Sequence, residues 1–192
     1  MGRNIIRFCA VFILLMVHLS AQAAAEMYTL DPNHTYVLWH INHLGFSTQV
    51  GKWYATGTLL LDKDHPQNDT LNVTIQVGDI VTGLPELDKH LKEKLFFDVA
   101  QFPTATFVSN KVSMTGKKSA KVYGTLTVHG ISKPVELDVK LNQMGISPIT
   151  NKMTAGFSAT TKLKRSDFGM NTLAPALSDE VQIDIGAEAN LK

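Results

Sequence analysis

The chain has 192 residues, 44% hydrophobic and 18% charged, with 18 Lys and Arg against 17 Asp and Glu. That length fits one domain and can bury a full core, while the near balance of charge leaves no basic footprint for nucleic acid or an anionic membrane surface. Its one cysteine, Cys9, lies near the N-terminus, so the rest of the chain must be held by packing without disulfides.

Residues 1–25 read as a signal peptide. Arg3 and Arg7 supply a positive start, Phe8 to Val17 is almost wholly apolar, and Ala21, Ala23 and Ala25 give the small-x-small pattern of a cleavage site. The apolar run is too short to span a bilayer, which needs ~20 residues. No later run approaches that length, so stable membrane insertion is not expected. Residues 26–192 are then one exported domain, periplasmic or secreted.

From there period-two alternation dominates. Val37, Trp39, Ile41 and His43 share one strand face. A second strand reads at Thr56 to Leu61. Leu71, Val73, Ile75 and Val77 then alternate with Asn72, Thr74 and Gln76. Leu84, Leu87, Leu91 and Leu95 instead recur at helical spacing, with Pro85 suited to a first turn, so Leu84 to Phe96 reads as an inserted amphipathic helix. Strands resume at Ala105 to Ser109, Lys121 to Val128, Val135 to Leu141, Met153 to Lys162 and Val181 to Ile185. Gly, Asn, Asp and Pro punctuate them, as in Asp62-Lys63-Asp64-His65-Pro66 and His129-Gly130. Eight or nine such strands make an all-β domain, either a closed barrel or a sandwich; the pattern alone does not choose.

Several segments, in order, resemble the YceI-like polyisoprenoid-binding family. They are His43-Leu44-Gly45-Phe46-Ser47, Gly51-Lys52-Trp53, Asp88-Lys89-His90-Leu91, Phe96-Phe97-Asp98, Phe102-Pro103-Thr104-Ala105-Thr106-Phe107, Gly124 to Ile131, Asp167-Phe168-Gly169 and Asp179 to Ile185. The resemblance implies a lipocalin-like extended antiparallel β-barrel of about eight strands. It also implies a lumen that carries a long isoprenoid lipid or quinone, in a protein that is no enzyme, has no other cofactor, and can form a homodimer. Three places depart from the family's habit: Val50 precedes Gly51 where many members carry arginine, Trp53 stands where phenylalanine is commoner, and Lys94-Leu95 precedes Phe96 where many have a serine or aspartate.

The inward faces supply the candidate lumen. From the first half come Val37, Trp39, Ile41, His43, Trp53, Leu59, Leu61, Val73 and Ile75; Leu91 and Phe96 come from the insertion; Phe107, Leu126, Val128, Phe157 and Phe168 come from the second half. Periodicity does not separate a filled core from a lined tunnel; the resemblance implies the tunnel.

Polar candidates are few. His40 and His43 are three apart on a strand and face opposite sides, which argues against a shared metal, and none is expected. His43 can meet a ligand at the barrel mouth or fix the Leu44-Gly45 turn. His90 is a candidate head-group contact, while Asp88 reads first as a helix cap. Arg165, in the cluster Lys162, Lys164, Arg165, has a fork that matches phosphate oxygens, or it can pair with Asp167 on a solvated strand end. Two alternatives to carriage remain. One is a lipid-modifying enzyme, for which His43 and His90 are the only acid–base candidates, since no Gly-x-Ser-x-Gly elbow occurs. The other is a stress or interaction protein with a solid core.

Overall fold

The computed structural model describes residues 25–192, so the expected signal peptide up to residue 24, with Cys9, lies outside the described residues. The described residues form nine strands: β1 (Glu26–Leu30), β2 (Tyr36–His43), β3 (Ser47–Leu61), β4 (Thr70–Gln76), β5 (Thr104–Met114), β6 (Ser119–Val128), β7 (Ile131–Ile146), β8 (Met153–Lys164) and β9 (Leu177–Leu191). From β2 onward each pairs antiparallel with the next, and β9 returns to β2 through a register running from Tyr36↔Gly186 to His43↔Leu177. Eight strands thus close a meander into a barrel with no free edge. Alternation had left barrel and sandwich open; the β2–β9 pairing decides for the barrel.

β1 was not legible as a strand. It pairs with β3 at Tyr28↔Leu59 and with β9 at Tyr28↔Leu191, and so occupies the same place in the wall as β2, below a break at residues 31–35. Thr35 bridges that break: its hydroxyl donates to the Glu188 carbonyl at 3.2 Å, and its own carbonyl accepts from the Ala55 N–H at 3.0 Å. β3 starts at Ser47 rather than Thr56, because Gln49 and Gly51 occupy inward positions where the pattern expected apolar residues. Bulges between Ile41 and His43, Ser109 and Lys111, and Leu141 and Gln143 bend the long strands around the barrel.

The two ends differ. Turns 62–69, 115–118 and 147–152 lie at one end. At the other lie hairpin 44–46, the insertion 77–103, turn 129–130 and loop 169–176. The first end is plugged. Tyr28, Leu30, Leu59, Leu61, Ala155 and Ala189 form a buried cluster there, with Met144, Met153 and Phe157 packed on it. A middle layer of Phe107, Val112, Val122, Val135 and Leu137 sits above the plug. Trp39, Trp53, Ile80 and Ile183 build the wall of the other half.

The insertion docks on β3. Lys52 and Val81 exchange backbone hydrogen bonds of 2.8 and 2.9 Å, and the Trp53 Nε1–H donates to the Val77 carbonyl at 3.0 Å. Its helix, α1 (Pro85–Leu91), is shorter than the leucine spacing implied. The chain turns back after Leu91, with the Phe97 N–H donating to the Leu91 carbonyl and Asp98 at φ 44°. The physical reason is the pair Phe96-Phe97. Neighbours on a helix diverge by ~100°, whereas successive turns let both rings reach the interior. Leu95, expected on the helix's apolar face, is left 64% exposed.

Candidate functional site

Above the plug the barrel is hollow. The cavity has a volume of about 610 Å³, within the range of small-ligand pockets, ~300–1,000 Å³. On β9 the lining runs from Leu177 to Ile185. Eight residue steps at ~3.4 Å on strands tilted ~40° give a depth of ~20 Å. The site is therefore a deep shaft entered from the end that carries α1.

Most of the candidate lumen residues do line this shaft. Val37, Trp39, Ile41 and His43 face it from β2, and Trp53 from β3. Val73 and Ile75 come from β4, Phe107 from β5, and Leu126 and Val128 from β6. Leu91, Phe96 and Phe168 close in from the open end. Leu59, Leu61 and Phe157 do not reach it and are corrected to plug residues. Their inward direction was right, but they sit lower along the axis, where side chains fill the barrel across its width.

The sequence reading missed other lining residues. Ile183 and Val181 on β9, Val135 and Leu137 on β7, and Phe97 after α1 all face the shaft. The β7 and β9 residues carried a clear alternating signal; Phe97 was hidden by the assumption of a longer helix.

The aromatic wall is built in layers. Trp39 and Trp53 stand with ring centres 6.4 Å apart, and Phe97 meets Trp53 edge-on at 5.2 Å. Trp53 anchors its indole N–H on Val77. The Trp39 Nε1 is buried without a hydrogen-bond partner among the described residues, an arrangement that costs stability.

The charged and titratable lining groups are His43, His90, Lys164 and Arg165, all contributed by elements of the open end. No carboxylate lines the cavity among the described residues. His90 lies with Nδ1 3.2 Å from Glu93 Oε2, and its ring meets Phe96 at 4.7 Å. Asp88, read first as a helix cap, is not one: Leu84 holds the N-cap position of α1, with no side-chain cap bond, and Asp88 lies inside the helix. Its Oδ1 accepts from the Thr82 N–H at 2.7 Å and the Thr82 hydroxyl at 2.6 Å, which pins the start of α1.

Arg165 is not paired with Asp167. Its fork donates to three backbone carbonyls: Nε to Ser178 at 3.0 Å, Nη1 to Thr172 at 3.1 Å and Nη2 to Leu177 at 3.2 Å. Burial draws its pKa below the ordinary arginine value, with Asp179 opposing; a guanidinium nonetheless stays charged. Asp179 itself accepts from the Ser166 N–H and hydroxyl at 2.8 and 2.7 Å. Arg165 is therefore first a staple for loop 169–176, with part of its surface on the cavity. No side-chain pattern announces such a role, because the acceptors are backbone.

The His40-x-x-His43 pair splits as the strand geometry required. His43 faces the shaft, while His40 Nε2 lies 2.9 Å from Asp184 Oδ2 on the outer face. A separate trio, Asp31, His34 and Glu188, converges on the outside at the β1–β2 break.

A closed eight-stranded meander around an apolar shaft, plugged at one end, is a lipocalin-like barrel built to enclose a small molecule. The YceI-like domain model matches residues 28–189, so the chain belongs to the YceI-like family. A relative named Protein YceI from Salmonella arizonae is 38% identical over 192 residues, covering 98% of this chain and 97% of its own. The crystal structure of Campylobacter jejuni YCEI protein is 31% identical, with a TM-score of 0.70 over 79% of this chain and 90% of that one. A polyisoprenoid binding domain from Saccharophagus degradans shares the fold at 14% identity, with a TM-score of 0.68 over 86% of this chain and 98% of that one. Among the described residues no helix is long and apolar enough to cross a membrane.

Proposed function

We propose that the barrel is a carrier for a long-chain isoprenoid lipid, of the polyprenyl phosphate or quinone type, with the chain in the shaft and the head group at the mouth. The observation that carries the reading is the distribution of polarity: apart from Thr35, Gln49 and Thr161 the walls are aromatic and aliphatic to the plug, and every charged lining group belongs to the open end. Burial of each CH₂ is worth ~0.8 kcal/mol, offset in part by ordering a flexible chain. Chain length then sets affinity, and few polar contacts are needed. With cations and histidines at the mouth and no lining carboxylate, the polar end of the cargo is neutral or anionic. The polyisoprenoid binding domain from Saccharophagus degradans, which shares the fold, supports the same cargo class. With residues 1–25 acting as an export signal, the carrier works in the periplasm or outside the cell.

A chain-length series tests this. Dissociation constants for prenols of rising length should fall steeply and then level once the chain exceeds the ~20 Å shaft. A prenyl phosphate should bind at least as well as the prenol, and a prenyl ammonium less well. Affinity independent of length would overturn the reading. The cargo should also be recovered unchanged. The steady appearance of a modified lipid would favour an enzyme, with His43 or His90 as its acid or base.

A further inference from the structure

We propose that the open end of the barrel is a membrane-docking face, which seats on a lipid bilayer through apolar side chains rather than through charge. The inference rests on the carrier reading and extends it to where the cargo is collected.

Three elements meet at that end. The Leu44 N–H of the β2–β3 hairpin donates to the Ala176 carbonyl of loop 169–176 at 3.1 Å. The Thr172 hydroxyl of the same loop donates to the Leu95 carbonyl of the insertion. Hairpin, loop and insertion are thus joined edge to edge around the mouth, and each turns a large apolar side chain to water. Phe46 is 89% exposed, Leu95 64%, Leu173 59% and Leu84 57%. Monomeric surfaces scatter single apolar residues, but a clustered set marks a contact surface.

What covers this face follows from its continuity with the cavity. Leu84 and Leu173 line the shaft and yet are more than half exposed. At Leu84 and Leu173 the apolar surface therefore runs continuously from the lumen wall to the outer rim, beside His43, His90, Lys164 and Arg165, which line the same mouth. A protein partner, or a second copy of this chain, seated there would cap the entrance. A bilayer would cover the same side chains and is also the phase in which a water-insoluble chain dissolves. The cargo would then pass from acyl chains to Leu84, Leu173 and the shaft without crossing water.

Charge does not drive the contact. Within the insertion, Lys89, Lys92 and Lys94 are outnumbered by Glu86, Asp88, Glu93 and Asp98, so the segment carries no net positive charge. Shallow insertion of aromatic and leucine side chains into the headgroup boundary supplies the contact, with a strength set by the apolar area buried.

The test uses residues 26–192, which contain the whole closed barrel, with phosphatidylcholine vesicles. We expect sedimentation with these neutral vesicles and little change between low and high salt. The triple variant Leu44→Ser, Phe46→Ser, Leu95→Ser changes only exposed rim residues outside the cavity lining, and it should lose at least fivefold in the bound fraction and in the rate of prenol transfer between vesicles. It should keep wild-type affinity for prenol presented in solution and an unchanged melting temperature. Ile149→Ser, which removes an equally exposed residue (93%) at the plugged end, should sediment like wild type. Equal sedimentation of the triple variant and wild type would overturn the proposal. So would binding that needs anionic lipid or disappears in salt, or a wild-type dimer that the triple variant splits and that ignores vesicles. If docking occurs but no prenol is taken up from solution, the carrier reading fails while the docking face stands. If prenol is taken up but docking fails, the reverse holds.

Discussion

Trp39 lies flat across Gly51, its directly paired neighbour on β3. A Cβ at position 51 would stand 2.6 Å from Trp39 Cε2, well inside contact distance. The glycine makes room for an indole that would otherwise project into the shaft. Phe107 lies over Gly124 in the same way on the opposite wall, where a Cβ would stand 2.8 Å from Cε2. Large rings laid over glycines keep the walls aromatic and the lumen open.

Gly51→Ala should therefore lower stability by about 1–3 kcal/mol, the usual cost of overpacking. It should also tip Trp39 into the cavity and weaken prenol binding. Trp39→Phe in the same chain should recover part of the loss, giving a coupling energy in a double-mutant cycle. Denaturant unfolding of the four proteins checks this, and additive effects would contradict it.

Val128 and Ala155 make a contrasting pair. Val128 lines the cavity, while Ala155 is fully buried in the plug. Val128→Phe grows into empty space, so its cost should stay below about 1 kcal/mol. Ala155→Phe grows into close packing and should cost about 1–3 kcal/mol or more. Thermal melts of the two variants distinguish a hollow upper barrel from a solid one, for which the costs would be alike.

Arg165→Gln leaves three carbonyls without their charged donor. A loss of about 2–3 kcal/mol follows from the value of charge-assisted bonds. Amide exchange should report it locally, in faster exchange of the Leu177 N–H, which donates to the Leu173 carbonyl at 2.9 Å. Arg165→Lys should not rescue, since one ammonium cannot serve acceptors at three places. A stability change without faster loop exchange would contradict the staple role.

Burial raises the Asp69 carboxyl to about 6, against an ordinary value of 3.8, although the Asp62 N–H donates to it. The folded state therefore holds this proton more tightly than the unfolded chain. The group contributes stability that is fully present below about pH 4 and is lost as pH rises toward 6. At face value the displacement is worth about 3 kcal/mol; because water reaches much of the side chain, about 1 kcal/mol is expected. Asp69→Asn should flatten the curve by that amount between pH 4 and 7 relative to wild type, as read by urea unfolding across pH. The difference is what counts, since Asp31, Asp62 and Asp179 are shifted downward and lose stability in acid.

The sequence revealed which way a residue points far better than how high it sits. Alternation placed Val37, Trp39 and Ile41 inside because a strand has only two faces. The same logic placed Leu59, Leu61 and Phe157 inside but could not tell the plug from the shaft, which depends on how side chains from all eight strands meet at one level. β1 escaped notice because five residues carry little periodic signal. α1 was overextended because Leu95 fits the leucine spacing, while the adjacent pair that ends the helix, Phe96-Phe97, demands its own geometry. Arg165 was readable as a polar candidate, but its acceptors belong to the backbone of loop 169–176 and leave no mark in the residue pattern.

An apolar chain in the shaft is detected by native mass spectrometry of the purified barrel, with organic extraction of its contents. One prenyl lipid or quinone per chain is predicted, lost on Val128→Phe and retained in Ile149→Ser, with the extracted lipid unmodified. A barrel that is empty as purified, takes up no added prenol and behaves the same with Val128→Phe would not be a prenyl-lipid carrier.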